Sequence, residues 1–234
     1  MGAILWGFES PLRHTLSSAN SPALTSSPMT HKEKTGRIAV LLSGRGSNFD
    51  ALYRDSLEPD SGYRISLVVS DRADAPGLLR ARRYGLDTVF IDPKEFASRR
   101  AFSERLLSAL SSRAVNLVCL AGFMRILGRR VVDAYPGRIL NIHPALLPAF
   151  PGLNAQRQAL DYGVKYSGCT VHFVDRGMDT GPVVLQECVA VREDDDEDSL
   201  SRRILEQEHR LFPRAVRMFF AGALQIQGRR VRIR

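Results

Sequence analysis

From residue 37 onward the chain alternates short apolar runs with stretches of amphipathic spacing. Residues 37–42, Arg-Ile-Ala-Val-Leu-Leu, form an apolar strand that ends in a Gly/Ser turn, and 48–54 reads as a helix. The pattern then repeats as a strand over 63–70, a helix over 77–84 and a short strand over 88–91. In 94–112 the residues Phe96, Phe102, Leu106, Leu107 and Leu110 recur at helical spacing. Two more apolar strands are predicted over 116–121 and 138–142. Strands that alternate with helices, with no two-residue hairpin turns between them, imply right-handed βαβ units and a mostly parallel sheet.

After Pro144 the pattern changes. Residues 168–174 and 182–191 are rich in strand formers and are separated by a Gly/Asp-containing turn, as expected of antiparallel strands added at a sheet edge. Residues 199–221 have the spacing of a long amphipathic helix, and a small hairpin is predicted around Gly228. The expected fold class is α/β: an open, doubly wound, mostly parallel sheet with antiparallel edge strands and a long C-terminal helix. Residues 1–36 are rich in Ser and Pro and show no sustained apolar period, which predicts a disordered extension ahead of a single domain over 37–234. Met29 offers an alternative start just before the first strand.

Composition narrows the setting. The chain has 234 residues, 44% hydrophobic and 25% charged, the usage of an ordinary soluble domain. No apolar run approaches the roughly 20 residues needed to span a bilayer. Cys119, Cys169 and Cys188 form no CxxC pair and sit in apolar stretches, so they read as buried thiols in a reducing cytoplasm. The net charge of +8 favours an anionic partner. Its basic residues are dispersed except for Arg229, Arg230, Arg232 and Arg234, a poor match to a nucleic-acid groove.

Three segments carry candidate chemistry. Ser43-Gly44-Arg45-Gly46-Ser47-Asn48 follows the first strand and opens a helix, where free amides and small side chains can hold an anion. It matches neither the Walker pattern nor the dinucleotide fingerprint, and a plain strand-to-helix turn stays open as the alternative. Asn141-Ile142-His143-Pro144 ends a strand, so alternation puts Asn141 and His143 on one side at the carboxyl edge of the sheet. An amide and an imidazole so placed can donate to one developing oxyanion. Val174-Asp175-Arg176-Gly177-Met178-Asp179-Thr180-Gly181-Pro182 is a turn whose Asp179 would favour an imidazolium if it reached His143, with Gly177 and Gly181 as flexible positions. His172 stands apart from any set at ligand spacing and reads as structural, and Glu206-Gln207-Glu208-His209 reads as a solvated helix face.

Taken in order, SGRGSNFDAL, VSDRADAPGL, LAGFMRIL, ILNIHPALLPAFPG, SGCTVHFVDRGMDTGPVVLQ and EQEHRLFP make the chain resemble the phosphoribosylglycinamide formyltransferase family. The resemblance runs from Arg37 to about Leu224. It implies transfer of a formyl group from 10-formyltetrahydrofolate, as cosubstrate and with no metal, to a phosphorylated small-molecule amine. It further implies catalytic roles for Asn141, His143 and Asp179. Substrate contacts would come from Gly46, Ser47, Asn48 and Glu208, with Glu208 near the glycinamide end. Folate contacts would come from Arg99, from Met124, Arg125, Ile126 and Leu127, and from Asp175, Arg176, Gly177, Met178 and Asp179. The expected species is a cytoplasmic monomer or homodimer with no nucleic-acid or membrane partner.

Two departures stand out: Arg45 replaces a small or polar residue, and Asn154 stands where relatives carry a His. The related deformylases and tRNA formyltransferases share the Asn-x-His strand and the distant Asp. Each adds a further domain for which this chain has no room before Arg37 or after Leu224. A basic nucleic-acid-binding module is the alternative from a different class.

Overall fold

The computed structural model describes residues 36–234. The expected N-terminal extension and the alternative start at Met29 lie outside the described residues, apart from Gly36, which opens the first strand. Five strands and four helices come first: β1 (Gly36–Leu42), α1 (Ser47–Leu57), β2 (Tyr63–Ser70), α2 (Pro76–Arg83), β3 (Thr88–Phe90), α3 (Arg99–Ser112), β4 (Leu117–Leu120) and, after a short helix α4 (Arg129–Ala134), β5 (Ile139–His143). Then follow α5 (Ala155–Tyr162), β6 (Tyr166–Phe173), β7 (Val183–Ala190), α6 (Glu197–Phe220), β8 (Leu224–Gln227) and β9 (Arg230–Ile233).

The strands form one sheet in the order β3-β2-β1-β4-β5-β6-β7-β9-β8. β1 to β5 run parallel, and β6 and β7 add antiparallel neighbours. The terminal hairpin was legible in the sequence, but its return to the sheet was not. β9 meets β7 through the single register pair Val183↔Arg230. Strand order reverses between β1 and β4, and in such sheets the crevice outside the carboxyl ends at that point receives ligands.

Alternation along β1 feeds both faces. Ile38, Val40 and Leu42 pack with Phe49 and Leu52 of α1, Leu78 of α2 and Phe212 of α6. Ala39 and Leu41 turn the other way and pack with Leu106 and Leu110 of α3 and Val131 of α4. Each large side chain fully buried in this way is worth ~1.5–3 kcal/mol, so the two apolar layers hold the sheet between helices.

Where boundaries differ from expectation, capping decides. The helix expected over 94–112 breaks, because Asp92 accepts from the Lys94 amide to close a 3₁₀ turn at Pro93–Glu95. Ser98 then starts α3 afresh by accepting from the Ala101 amide at 3.2 Å. Phe96, stranded before the helix, packs edge-on against Phe102. α6 begins two residues early because Asp196 and Ser199 form a reciprocal capping box at 2.7 and 3.0 Å. α4 and α5, of 6 and 8 residues, are too short to show a helical period.

Of the three thiols, Cys119 and Cys169 are buried as expected, and burial pushes Cys169 up to about 12. Cys188 is exposed, because it falls in the run 186–188 of β7 that faces outward. Among the described residues no helix is long and apolar enough to cross a membrane.

Gly46 joins the sheet to α1 with φ 75°, and a Cβ there would lie 2.7 Å from the Gly77 Cα of α2. Both the left-handed backbone and the close approach call for glycine. Gly46→Ala should therefore lose about 1–3 kcal/mol of stability in urea unfolding. An unchanged midpoint would mean that α1 and α2 are free to separate.

Candidate functional site

A cavity of about 620 Å³ opens at the strand-order reversal. The loop after β1 forms one wall, the segment after β4 a second, and the ends of β5 and β6 with Val174, Asp175, Gly177, Met178 and Asp179 the floor.

The β1–α1 wall presents Gly46, Ser47 and Asn48 to the cavity. α1 has no side-chain cap, so the amides of its first turn have no intrahelical acceptor and point outward as donors. Asn48 Nδ2 donates to Glu208 Oε2 at 2.7 Å, while Asn48 Oδ1 is buried with no hydrogen-bond partner. Glu206 is exposed as expected of a solvated face, but Glu208 is only 4% exposed: its side chain points inward from α6 and lines the cavity. Burial pushes its carboxyl from the ordinary 4.5 up to about 7, against the opposing Asn48 hydrogen bond.

The floor is organised around Asp179. Antiparallel pairing sets Asn141 opposite His172 and His143 opposite Thr170. Asp179 Oδ1 lies 3.4 Å from Asn141 Nδ2 and 3.6 Å from His172 Nε2. Its Oδ2 lies 3.5 Å from His143 Nδ1 and accepts from the Gly152 amide at 2.8 Å. His143 Nε2 in turn sits 2.8 Å from the Phe150 carbonyl, which requires that nitrogen to carry a proton. The neutral ring would then turn the bare Nδ1 lone pair toward a carboxylate, whereas the imidazolium satisfies both sides.

Two opposed effects act on His143. Burial lowers its pKa below 6.5, and the Phe150 carbonyl and Asp179 charge oppose that fall. For Asp179, burial raises the carboxyl, yet the adjacent His172, the hydrogen bond from the Gly152 amide and the nearby His143 hold it below its ordinary value. Asp179 adopts φ 54°, a left-handed conformation that Asp tolerates better than most residues. The turn of chain facing it is bent likewise, with positive φ at Phe150, Gly152 and Asn154. That bend presents one carbonyl to His143 and one amide to Asp179.

His172 was set aside by sequence reasoning as structural, yet it is part of this cluster. Its Nδ1 donates to the Phe173 carbonyl at 2.9 Å, leaving Nε2 to accept from Asn141 Nδ2 at 3.1 Å. The signal that could have found it is the repeated i, i+2 spacing: Thr170-x-His172 faces Asn141-x-His143. Gly181, read as a flexible position, is instead a point of close approach, since a Cβ there would lie 1.8 Å from the Phe173 carbonyl.

Most of the other expected residues meet at this cavity. Met124, Arg125, Ile126 and Leu127 line its second wall, and Asp175, Gly177, Met178 and Asp179 its mouth. Two do not line it. Arg99 donates to the Ile126 carbonyl at 3.3 Å from behind that wall, and Arg176 pairs with Asp133 at 2.9 Å. Arg45 and Asn154, the two departures, both line the cavity, Asn154 at the start of α5. Among the described residues no group of three or more His, Cys, Asp or Glu side chains could hold a metal.

Comparison with known proteins puts this geometry in context. Residues 36–216 match the formyl transferase family. The phosphoribosylglycinamide formyltransferase of Escherichia coli (strain K12) is 42% identical over 189 residues, covering 81% of this chain and 89% of that protein. A trifunctional purine biosynthetic protein adenosine-3 of Drosophila melanogaster is 45% identical over 208 residues, or 88% of this chain. The chain spans 15% of the length of that relative. The crystal structure of glycinamide ribonucleotide transformylase 1 from Symbiobacterium toebii superposes with a TM-score of 0.85 at 51% identity. That likeness covers 89% of this chain and 99% of the other.

The raised value of Glu208 makes stability depend on pH. What the carboxyl lends is fully present below its unfolded value of 4.5 and is lost as pH rises through about 7. Glu208→Gln keeps an acceptor for Asn48 and removes the charge. Relative to wild type it should gain on the order of 3 kcal/mol between about pH 5 and about pH 8, read from unfolding curves at both. An equal difference at the two pH values would show that Glu208 does not titrate between them.

Proposed function

This chain belongs to the formyl transferase family, and we propose that it formylates the amine of N1-(5-phospho-D-ribosyl)glycinamide from 10-formyltetrahydrofolate, a step of purine biosynthesis. The observation that carries the reading is one cavity in which an anion-ready helix start and the Asn141–His143–Asp179 cluster share a boundary. Relatives named phosphoribosylglycinamide formyltransferase support the choice of acceptor. The proposed catalytic unit is a single domain over residues 37–234. A reducing cytoplasm suits its three free cysteines.

In this reading the phosphate rests on the first-turn amides of α1, with Ser47 and Asn48 beside it. Glu208 accepts from the polar groups between phosphate and amine. The pterin of the donor lies against Met124–Leu127 and the segment 175–179. Arg99 supports that wall from behind through the Ile126 carbonyl, and Arg176 stays at the rim.

The acceptor amine attacks the formyl carbon, whose carbonyl oxygen becomes an oxyanion. Asn141 can turn an N–H toward it, since its 3.4 Å contact with Asp179 is the longer of its two. His143, as the imidazolium that the Asp179 carboxylate favours, supplies positive charge beside that oxyanion. Collapse of the intermediate breaks the bond between the formyl carbon and the folate nitrogen. The proton lost by the amine passes, through water held by Asp179, to that nitrogen, giving the N-formyl product and tetrahydrofolate. Burial lowers the pKa of His143 and the Phe150 carbonyl and Asp179 charge oppose that fall, so the imidazolium depends on these two partners.

A spectroscopic transfer assay with both substrates tests this. Wild type should transfer formyl, and His143→Ala and Asp179→Asn should each lose about 100- to 1000-fold in kcat while staying folded. Release of tetrahydrofolate with no need for the phosphorylated amine would make water the acceptor and overturn the assignment.

A further inference from the structure

The wall proposed to receive the donor, residues 121–127, contains no helix or strand. Its position must therefore come from contacts made across the fold. Two of them rest on surface arginines: Arg99 donates to the Ile126 carbonyl at 3.3 Å, and the half-exposed Arg125 faces Asp71 at 3.9 Å. Long, solvated contacts of this kind hold a segment weakly.

The Ala121 amide also donates to the Leu41 carbonyl at 2.9 Å, and Leu127 packs in the core at the far end. Between them stands an anchor of another kind. Ser43, 6% exposed, donates its backbone N–H to the Gly122 carbonyl at 3.0 Å. Its hydroxyl accepts from the Met124 amide at 2.9 Å. Two bonds from one buried residue straddle Phe123, setting both the direction of the wall and the depth at which Met124 meets the cavity. Gly122 sits at φ 76°, so the chain turns at the residue Ser43 holds.

Ser43 is also the root of the opposite wall. Gly44, Arg45 and Gly46 follow it directly, and the Gly44 carbonyl accepts from the Gly77 amide at 3.1 Å, which seats that loop on α2. One side chain thus joins the loop that would hold the acceptor phosphate to the wall that would hold the donor. Ser43 opens the motif read from the sequence, which assigns its hydroxyl no role of its own.

We propose that Ser43 is a positioning residue that keeps the donor wall in register with the acceptor loop, so that formyl carbon and amine arrive at one point. This rests on the formyl-transfer reading above. The hydroxyl acts only through the Met124 amide. Ser43→Ala removes that acceptor and leaves the bond to Gly122 and the acceptor-loop amides in place.

The test is steady-state kinetics of Ser43→Ala with each substrate varied in turn, alongside thermal unfolding. The expected result is a KM for the formyl donor raised about fivefold, the loss of one net hydrogen bond, with the KM of the phosphorylated amine held and the unfolding midpoint lowered by no more than about 2–4 °C. An unchanged donor KM would overturn the proposal. So would a midpoint that falls sharply with both KM values rising together, which would make Ser43 a folding residue. Calorimetric titration with a folate analogue that has no transferable formyl reads the same fivefold loss without turnover. A wild type that binds this analogue but formylates no phosphorylated amine would overturn the formyl-transfer reading while the calorimetry still judges Ser43.

Discussion

One part-buried carboxylate organises the floor of the cavity. Asp179 sits within 3.6 Å of both His143 and His172, within 3.4 Å of Asn141, and accepts from the Gly152 amide. The partners come from three places in the chain: β5, β6 and the bend before α5. A charge held half out of water must be matched by donors, and the Gly152 amide, Asn141 and the protonated His143 are what match it. The left-handed backbone at Asp179 and the three positive φ values on the facing bend, worth roughly 1–3 kcal/mol each for the non-glycine residues, persist because this set of contacts over-determines them.

The sheet explains why those partners can meet. Reversal of strand order between β1 and β4 opens a crevice at the carboxyl ends, and the antiparallel entry of β6 beside β5 brings His172 up against Asn141. The same reversal sets the loop after β1 opposite the segment after β4, so one cavity has two chemically distinct walls. One offers amide donors and a buried Asn48–Glu208 pair. The other offers Met124, Ile126 and Leu127. Two substrates of unlike chemistry need such a division, and Ser43 is where the two walls are tied.

Local signals in the sequence carried the parallel half of the fold well, because each strand there is a continuous apolar run followed by a turn. The pair Asn141 and His143 was legible for the same reason: period-2 alternation and a following proline place them without knowledge of tertiary structure. What was not legible depends on pairing across the chain. His172 becomes meaningful only through its register with Asn141, and Glu208 only once α6 is turned with that residue inward. Ser43 looked like part of a turn until its hydroxyl met the Met124 amide 81 residues away. Short helices such as α4 and α5 are set by tertiary packing more than by propensity, and Gly181 marks a close approach that sequence alone reads as flexibility.

The central claim is that the Asp179 charge sustains the imidazolium of His143, and the direct measurement is the NMR titration of the His143 ring in wild type and in Asp179→Asn. Burial already lowers this pKa below 6.5 and the Asp179 carboxylate opposes the fall. Removing that charge should therefore move the midpoint to still lower pH, with the protein folded throughout. A midpoint that stays in place or rises would mean that Asp179 does not govern the charge of His143, and the account of the site built around it would fail.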